Sequence, residues 1–365
     1  MPTRRTVLTD LGLGGAAAML GSLAGGAATA VSSTPPVAAA QPTRRARPFF
    51  DVADWLWQPI PADPRLDPHS ATWAAALARG SQILNTYQYG VPVFTNHDSR
   101  GVRRPGSWQR IAVRRSDWGT NPFAAFNPIW IPSHAAPSPQ SDAAMVIIDP
   151  VRRLSVELWQ ARRDSAGRWS AGWGAVLSLD GRADRYAVAG VDTGQQGAVG
   201  AGVSRRAGLV TRADIAAGAI HHALVLSSDM VAPGVVRFPA TKTDGRNLIR
   251  AAVPIPEGAR IQLDPRADLS DLHGYQLLIA RALQRYGAYV IDNGGARVAI
   301  IGEGHDPHGP RTGAPYFSRT TPVPRNPVYR GSTFWRSGMR STSGYQSLAG
   351  IPWHRIRVLA AWHGR

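Results

Sequence analysis

Four short segments of this chain hold side chains that could do chemistry. The first is Asp214 with His221-His222 a few residues on. A carboxylate and an imidazole in reach of each other can trade protons near neutral pH, the range in which histidine ordinarily titrates. A histidine held inside the fold by hydrogen bonds is the plainer alternative. The second segment runs Pro239-Ala240-Thr241-Lys242-Thr243-Asp244 and holds the only lysine in the chain. Lys242 is either an ordinary exposed residue or a compact ammonium where a planar guanidinium would not fit. The third is Tyr286-Gly287 followed by Asp292-Asn293-Gly294. Asp and Asn favour tight turns for local hydrogen bonds alone. On a rigid hairpin, Asp292 would also be a well-positioned catalytic carboxylate. The fourth is Glu303-Gly304-His305-Asp306-Pro307-His308. Its donors suit a metal, but the spacing follows no zinc motif, so neither a metal nor a cofactor is expected.

The elements that must position these groups can be read from periodicity and turn chemistry. Ser70 is placed to cap a helix over Ala71–Arg79, with Gly80 as its stop. Ala143–Asp149, Leu154–Arg162 and Trp169–Leu179 read as a three-stranded meander that carries Glu157, Trp159 and Trp173. Arg212–Gly218 makes one or two helical turns. Ala219–Leu226 reads as a buried strand, on which adjacent side chains face opposite ways, so only one of His221 and His222 can enter a cleft. Strands follow at Val235–Ala240 and Arg260–Leu263. Gly274–Tyr286 is the best helix, with Leu277, Leu278, Ala282 and Leu283 on one face. Ala288–Asp292 and Ala296–Ile301 then read as a hairpin around Asn293-Gly294-Gly295, and Ile356–Trp362 as a last strand. Many short strands, few helices and no internal repeat predict a mainly β fold: a single-domain β-sandwich or jelly roll with two or three short helices.

The two ends of the composition narrow the chemistry. Residues 1–30 read as a twin-arginine leader: Thr3-Arg4-Arg5-Thr6-Val7-Leu8, a Gly/Ala-rich stretch, and Ala28-Thr29-Ala30 as the cleavage site. The apolar stretch is too short and glycine-rich for a membrane span of roughly 20 residues. A Pro-, Ala- and Arg-rich tether covers 31–47, and the domain 48–365. An exported protein is poorly placed for ATP- or NAD-dependent chemistry. The absence of cysteine removes thiol catalysis, disulfides and Cys-based metal sites. G-x-S-x-G, the P-loop, H-E-x-x-H and a dinucleotide fingerprint are missing. The formal charge of +17 comes almost wholly from arginine. It reflects either a GC-rich coding bias or attraction to anionic polymers. The arginines are scattered, and no recognition motif points to nucleic acid. Twelve tryptophans offer flat apolar faces with one N–H donor, on which pyranose rings stack, although several must be core anchors.

The first three segments resemble a family of exported, mainly actinobacterial proteins. Asp214, Ala216-Ala217-Gly218 and Ile220-x-His222-Ala223-Leu224 match it. So do Pro239-Ala240-Thr241, Tyr286-Gly287 and Asp292-Asn293-Gly294, and the strands around Glu157-Leu158 and Trp169…Gly172…Gly174 are similar. The resemblance covers about residues 120–305. Lys242 stands where the pattern has His. The family brings no assigned reaction, so the resemblance selects residues, His222 over His221 among them, without giving them roles.

Together these features lead to an exported carbohydrate-active protein that cleaves a glycosidic linkage in an extracellular polysaccharide or cell-wall glycan, anionic glycans included. Hydrolysis would use two carboxyls across a cleft. The candidates are Asp214 and Asp292, with Glu157 in reserve and His222 orienting one of them. Trp159, Trp173, Tyr286, Asn293 and Lys242 would bind substrate. In a lyase variant Lys242 or arginine would neutralise a uronate while His222 abstracts the proton. The alternative is a non-catalytic wall- or glycan-binding protein, for which the acids need not converge.

Overall fold

The computed structural model describes residues 49–362 apart from 87, 184–186, 189–190, 193–196 and 305–344. The expected leader and tether, and His305, Asp306 and His308, lie outside the described residues.

In chain order, helix α1 (Ser70–Ala78) is followed by β1 (Gln82–Asn85), β2 (Val93–Thr95), β3 (Met145–Asp149), β4 (Leu154–Trp159) and β5 (Trp173–Ser178). Helix α2 (Arg212–Ala217) leads into β6 (Leu224–Ser228), β7 (Val231–Val236), β8 (Ile255–Glu257) and β9 (Arg260–Leu263). After α3 (Gly274–Arg285) come β10 (Ala288–Asn293), β11 (Val298–Ile301), β12 (Tyr345–Ser347) and β13 (Ile356–Val358).

Seven of these strands form one mixed sheet, in the order β12-β1-β11-β6-β10-β9-β13. Four form a second, β5-β4-β3-β2. The alternation of strand side chains assigns residues to layers. From the large sheet, Leu224, Leu226, Val290 and Ile300 face α1 and α3, meeting Trp73, Leu77, Leu278 and Leu283. Val225, Tyr289 and Ile291 point the other way, onto Val146 and Ile148 of β3. Met145 and Ile147, on the far face of β3, pack with Val156, Leu158 and Phe123. All five residues of β3 are buried, which is why it reads as an unbroken apolar run. The result is the expected mainly β sandwich with three short α-helices over one outer face. It is not a jelly roll of antiparallel Greek keys, because β1·β11, β6·β10 and β2·β3 are parallel pairs. No helix among the described residues is long and apolar enough to cross a membrane.

Several local expectations change. The strand expected at Val235–Ala240 ends at Val236, and the one expected at Trp169–Leu179 breaks at Gly172, with only Trp173–Ser178 in the four-stranded sheet. The Ala288–Asp292 and Ala296–Ile301 strands form, but they do not pair as a hairpin. β6 runs between them, parallel to β10 and antiparallel to β11. The Asn293-Gly294-Gly295 turn passes over the end of β6, with Gly294 N–H donating to Ser228 O (3.0 Å) and Asp229 N–H to Ala296 O (2.9 Å). Turn chemistry reports a reversal of direction, and it cannot report a third strand inserted in the gap. The strand expected at Ala219–Leu226 starts only at Leu224, so His221 and His222 sit in the lead-in. Ser70 is not the N-cap of α1, a place His69 takes without a side-chain bond. The Ser70 hydroxyl instead accepts Val358 N–H (2.8 Å), and Asp67 N–H donates to Val358 O (3.0 Å), tying the start of the domain to β13.

Leu283 is fully buried between α3 and the large sheet. Leu283→Ala is expected to cost about 2–5 kcal/mol, the usual range for opening such a cavity. Urea unfolding would measure it, and a loss below about 1 kcal/mol would mean that α3 does not cover this face.

Candidate functional site

β6 and β10 are parallel, so their carboxyl ends open at the same edge of the sheet. A register shift between Leu226 and Ser227 loosens the pairing just before that edge. Asp292 and Asn293 end β10 there. They line a cavity of about 560 Å³ together with Asn85, Tyr89, Asp142 and Arg205.

Behind Asp292 stand two acids that are far away in sequence. Glu257 ends β8. Its carbonyl accepts Arg237 N–H (2.7 Å), and the next amide, Gly258 N–H, reaches Val290 O on β10 (2.8 Å). Gly258 has φ +85°, and a Cβ there would lie 1.7 Å from Arg237 O, so only glycine permits this crossing. Asp244, which is exposed, accepts Asn293 N–H at 3.1 Å. The donor atoms of Asp244, Glu257 and Asp292 lie within 4.8 Å of one another, close enough to share one bound ion. Gly200 presses on the group from the side: a Cβ on it would come 2.4 Å from Asp244 Oδ1 and 2.8 Å from Glu257 Oε1.

The electrostatics are strained. Glu257 is completely buried, and neither carboxylate oxygen has a hydrogen-bond partner. The nearby Thr243 hydroxyl donates to Ala232 O (3.3 Å). Burial, opposed by Thr243 and reinforced by the charges of Asp244 and Asp292, pushes the Glu257 carboxyl up to about 8. Burial and the charge of Asp244 raise Asp292 to about 8 as well; Asp142 adds to the rise, while Arg205 and Lys242 oppose it. Lys242 donates from Nζ to Val199 O (3.0 Å). Desolvation lowers its pKa, against the pull of Asp292, Asp244 and Glu257.

Glu157 is equally buried but fully engaged. It accepts hydrogen bonds from Ser204 Oγ, Arg205 N–H (2.8 Å), Ala198 N–H (3.2 Å) and Ser155 Oγ (3.3 Å). Burial raises its pKa against the bonds from Ser204, Arg205 and Ala198. Glu157 therefore holds the 198–206 loop, which carries Gly200 and Arg205 to the acids. The Arg205 side chain turns back to Ala198 O, with Nε at 3.1 Å.

Asp214 and His222 come together with each other and not with Asp292. Asp214 closes a capping box at the start of α2, accepting Thr211 N–H at 2.8 Å and Thr211 Oγ1 at 2.5 Å. His222 Nε2 lies 3.2 Å from Asp214 Oδ2, and its Nδ1 lies 2.9 Å from Ala223 O. His221 is exposed. Neither Asp214 nor His222 lines the cavity that holds Asp292. Glu303 takes Arg212 N–H (2.9 Å) and Nε (2.6 Å) at the same helix start. Tyr286 caps α3 and is buried; its hydroxyl accepts Arg285 Nε (3.2 Å) and its carbonyl accepts Arg260 Nε (2.9 Å).

Trp159 and Trp173 belong to a shelf beside the cavity. Trp118 stacks on Trp159 with centroids 5.7 Å apart and planes 14° from parallel, and Trp173 tilts against it at 6.0 Å. Trp118 is 52% exposed, so the shelf has an open face. Trp159 Nε1 donates to Asp142 Oδ1 at 3.2 Å, which links the shelf to the cavity wall.

Of the residues singled out in the sequence, Asp292, Asn293 and Lys242 meet at the acid site, with Trp159 and Trp173 next to it. Asp244, Glu257, Asp142, Arg205 and Trp118 were not anticipated. Glu257 did leave a signal: a lone acid in an apolar stretch (Val253-Pro254-Ile255-Pro256), followed directly by Gly258. No family model, curated protein or solved structure matches the chain.

The Asp214 pair makes a pH prediction. Burial works to raise its pKa, but the hydrogen bond and charge of His222 and the two bonds from Thr211 hold it below the ordinary 3.8. A depressed carboxyl contributes stability that is complete above its unfolded pKa and drains away as the pH falls through the folded one. Urea midpoints of the wild type should therefore fall more steeply below about pH 4 than those of Asp214→Asn. Parallel acid limbs would show that the pair contributes nothing.

Proposed function

We propose that this is an exported carbohydrate-active enzyme that cleaves a glycosidic bond in an extracellular polysaccharide at the Asp292 cavity. The observation that carries this reading is the hydrogen bond from Trp159 to Asp142. It couples a tryptophan shelf to a cavity lined by two carboxyls, Asp142 and Asp292. A sugar ring stacks on the exposed face of Trp118. Asn85, Tyr89 and Asn293 offer donors and acceptors for its hydroxyls. Asp142 and Asp292 are the two carboxyls that glycoside cleavage asks for, one to protonate the leaving oxygen and one to act on the opposite side. Asp142 lies within electrostatic reach of Asp292, since its charge helps raise the Asp292 pKa. His222 and Glu157 hold the scaffold and touch no substrate. The leader motif at Thr3–Leu8 is consistent with a substrate outside the cytoplasm.

A screen of plant, algal and bacterial wall polysaccharides tests this, read both for new reducing ends and for the ultraviolet absorbance of unsaturated uronates. With an active substrate in hand, Asp292→Asn and Asp142→Asn should each lower kcat by about 10²–10⁴. Trp118→Ala should raise KM several-fold, in line with about 0.5–1.5 kcal/mol of ring contact, and spare kcat. Full activity in both carboxamide variants would sink the assignment. Retention of a glycan without product would leave a binding protein that uses the same shelf.

A further inference from the structure

We propose that Asp244, Glu257 and Asp292 form a divalent-cation site at the back of the cavity, sized for calcium. Two ligands on one ion can lie no further apart than twice the metal–oxygen distance. That limit is about 4.6–5.2 Å for calcium and about 4.0–4.2 Å for magnesium. The three donor atoms lie within 4.8 Å of one another, so calcium fits them as they stand. The donors are all carboxylate oxygens, the set that hard cations take and that zinc and copper do not favour.

Acid clusters on protein surfaces are common, and proximity alone would mean little. The second observation is Glu257. It is 0% exposed, it points into the cluster, and both its oxygens lack a hydrogen-bond donor. A buried carboxylate in that condition is costly unless a proton or a cation completes it. The neighbouring cations act on the acids only at a distance. Lys242 gives one of its Nζ protons to Val199 O, and Arg205 is turned onto Ala198 O. Among the described ion pairs, none involves Asp244, Glu257 or Asp292. Asn293 Oδ1, beside Asp292, is a further buried oxygen without a partner. Gly200 keeps the side of the cluster free of a Cβ that would overlap Asp244 and Glu257.

A cation here would keep Asp292 ionised. Within the cleavage reading, on which this step rests, Asp292 then acts as the charged carboxylate of the pair. Cation binding itself does not depend on that reading.

The test uses the full-length protein, stripped with EGTA, dialysed, and titrated with calcium chloride and separately with magnesium chloride in a calorimeter. One calcium per chain is expected, with a calcium-dependent rise in melting temperature. Glu257→Gln and Asp244→Asn should each weaken calcium binding at least about tenfold. Asp214→Asn, in the separate capping box, should leave it unchanged. Folding is checked on the same samples: without metal, Glu257→Gln should melt in a single cooperative transition, as the stripped wild type does. No heat and no melting shift in the wild type would overturn the proposal, as would undiminished binding in Glu257→Gln. Binding of magnesium alone would overturn the size assignment. Calcium binding without cleavage of any polysaccharide upholds the cation site and defeats the cleavage reading. Cleavage unaffected by EGTA, in a protein that binds no cation, does the reverse.

Discussion

The parallel pairing of β6 with β10 is the constraint on which the rest of the site depends. Parallel neighbours cannot be joined by a tight turn, so the chain must make a long excursion between Ser228 and Ala288. That excursion holds β7, β8, β9 and α3, and it is where Asp244 and Glu257 are found. The chain then returns as β10, delivers Asp292 to the edge, and steps over the end of β6 to run back as β11. The topology that brings the strands together is therefore also what gathers the carboxylates.

Glu157 and Glu257 make a useful contrast. Both are completely buried, and burial raises the pKa of both. Glu157 is surrounded by amide and hydroxyl donors from one loop, and its effect is to fix that loop. Neither oxygen of Glu257 has a donor in bonding geometry. Burial alone thus separates neither role from the other. The donor inventory does, because a satisfied buried acid is a structural tie and an unsatisfied one is waiting for a partner.

The layers were legible in the sequence because apolar periodicity is local. The run at Ala143–Asp149, the amphipathic face of α3 and the meander through Leu158 all form where periodicity puts them. Asp292 and Asn293 were found by their turn chemistry, and that chemistry was also misleading about pairing. The pairing of Asp214 with His222 was foreseen, but the chemistry expected from it was not matched by a place in the cavity. The signal at Asp214 belongs to a capping box, which uses an acid three residues after a threonine for purely local reasons. Asp142, Arg205 and Glu257 went unseen because each gains its meaning beside Asp292, which is far away in sequence, and single-sequence patterns do not carry such distances.

β13 is the edge strand of the large sheet, paired with β9, and Val358 bonds at both its N–H and its carbonyl to the segment that starts α1. One three-residue strand is thus shared by the sheet and by the helix that rests on it. Peeling β13 away would bare the β9 edge and release the start of α1 in the same event, so the helix layer and the sheet edge should open as one cooperative unit.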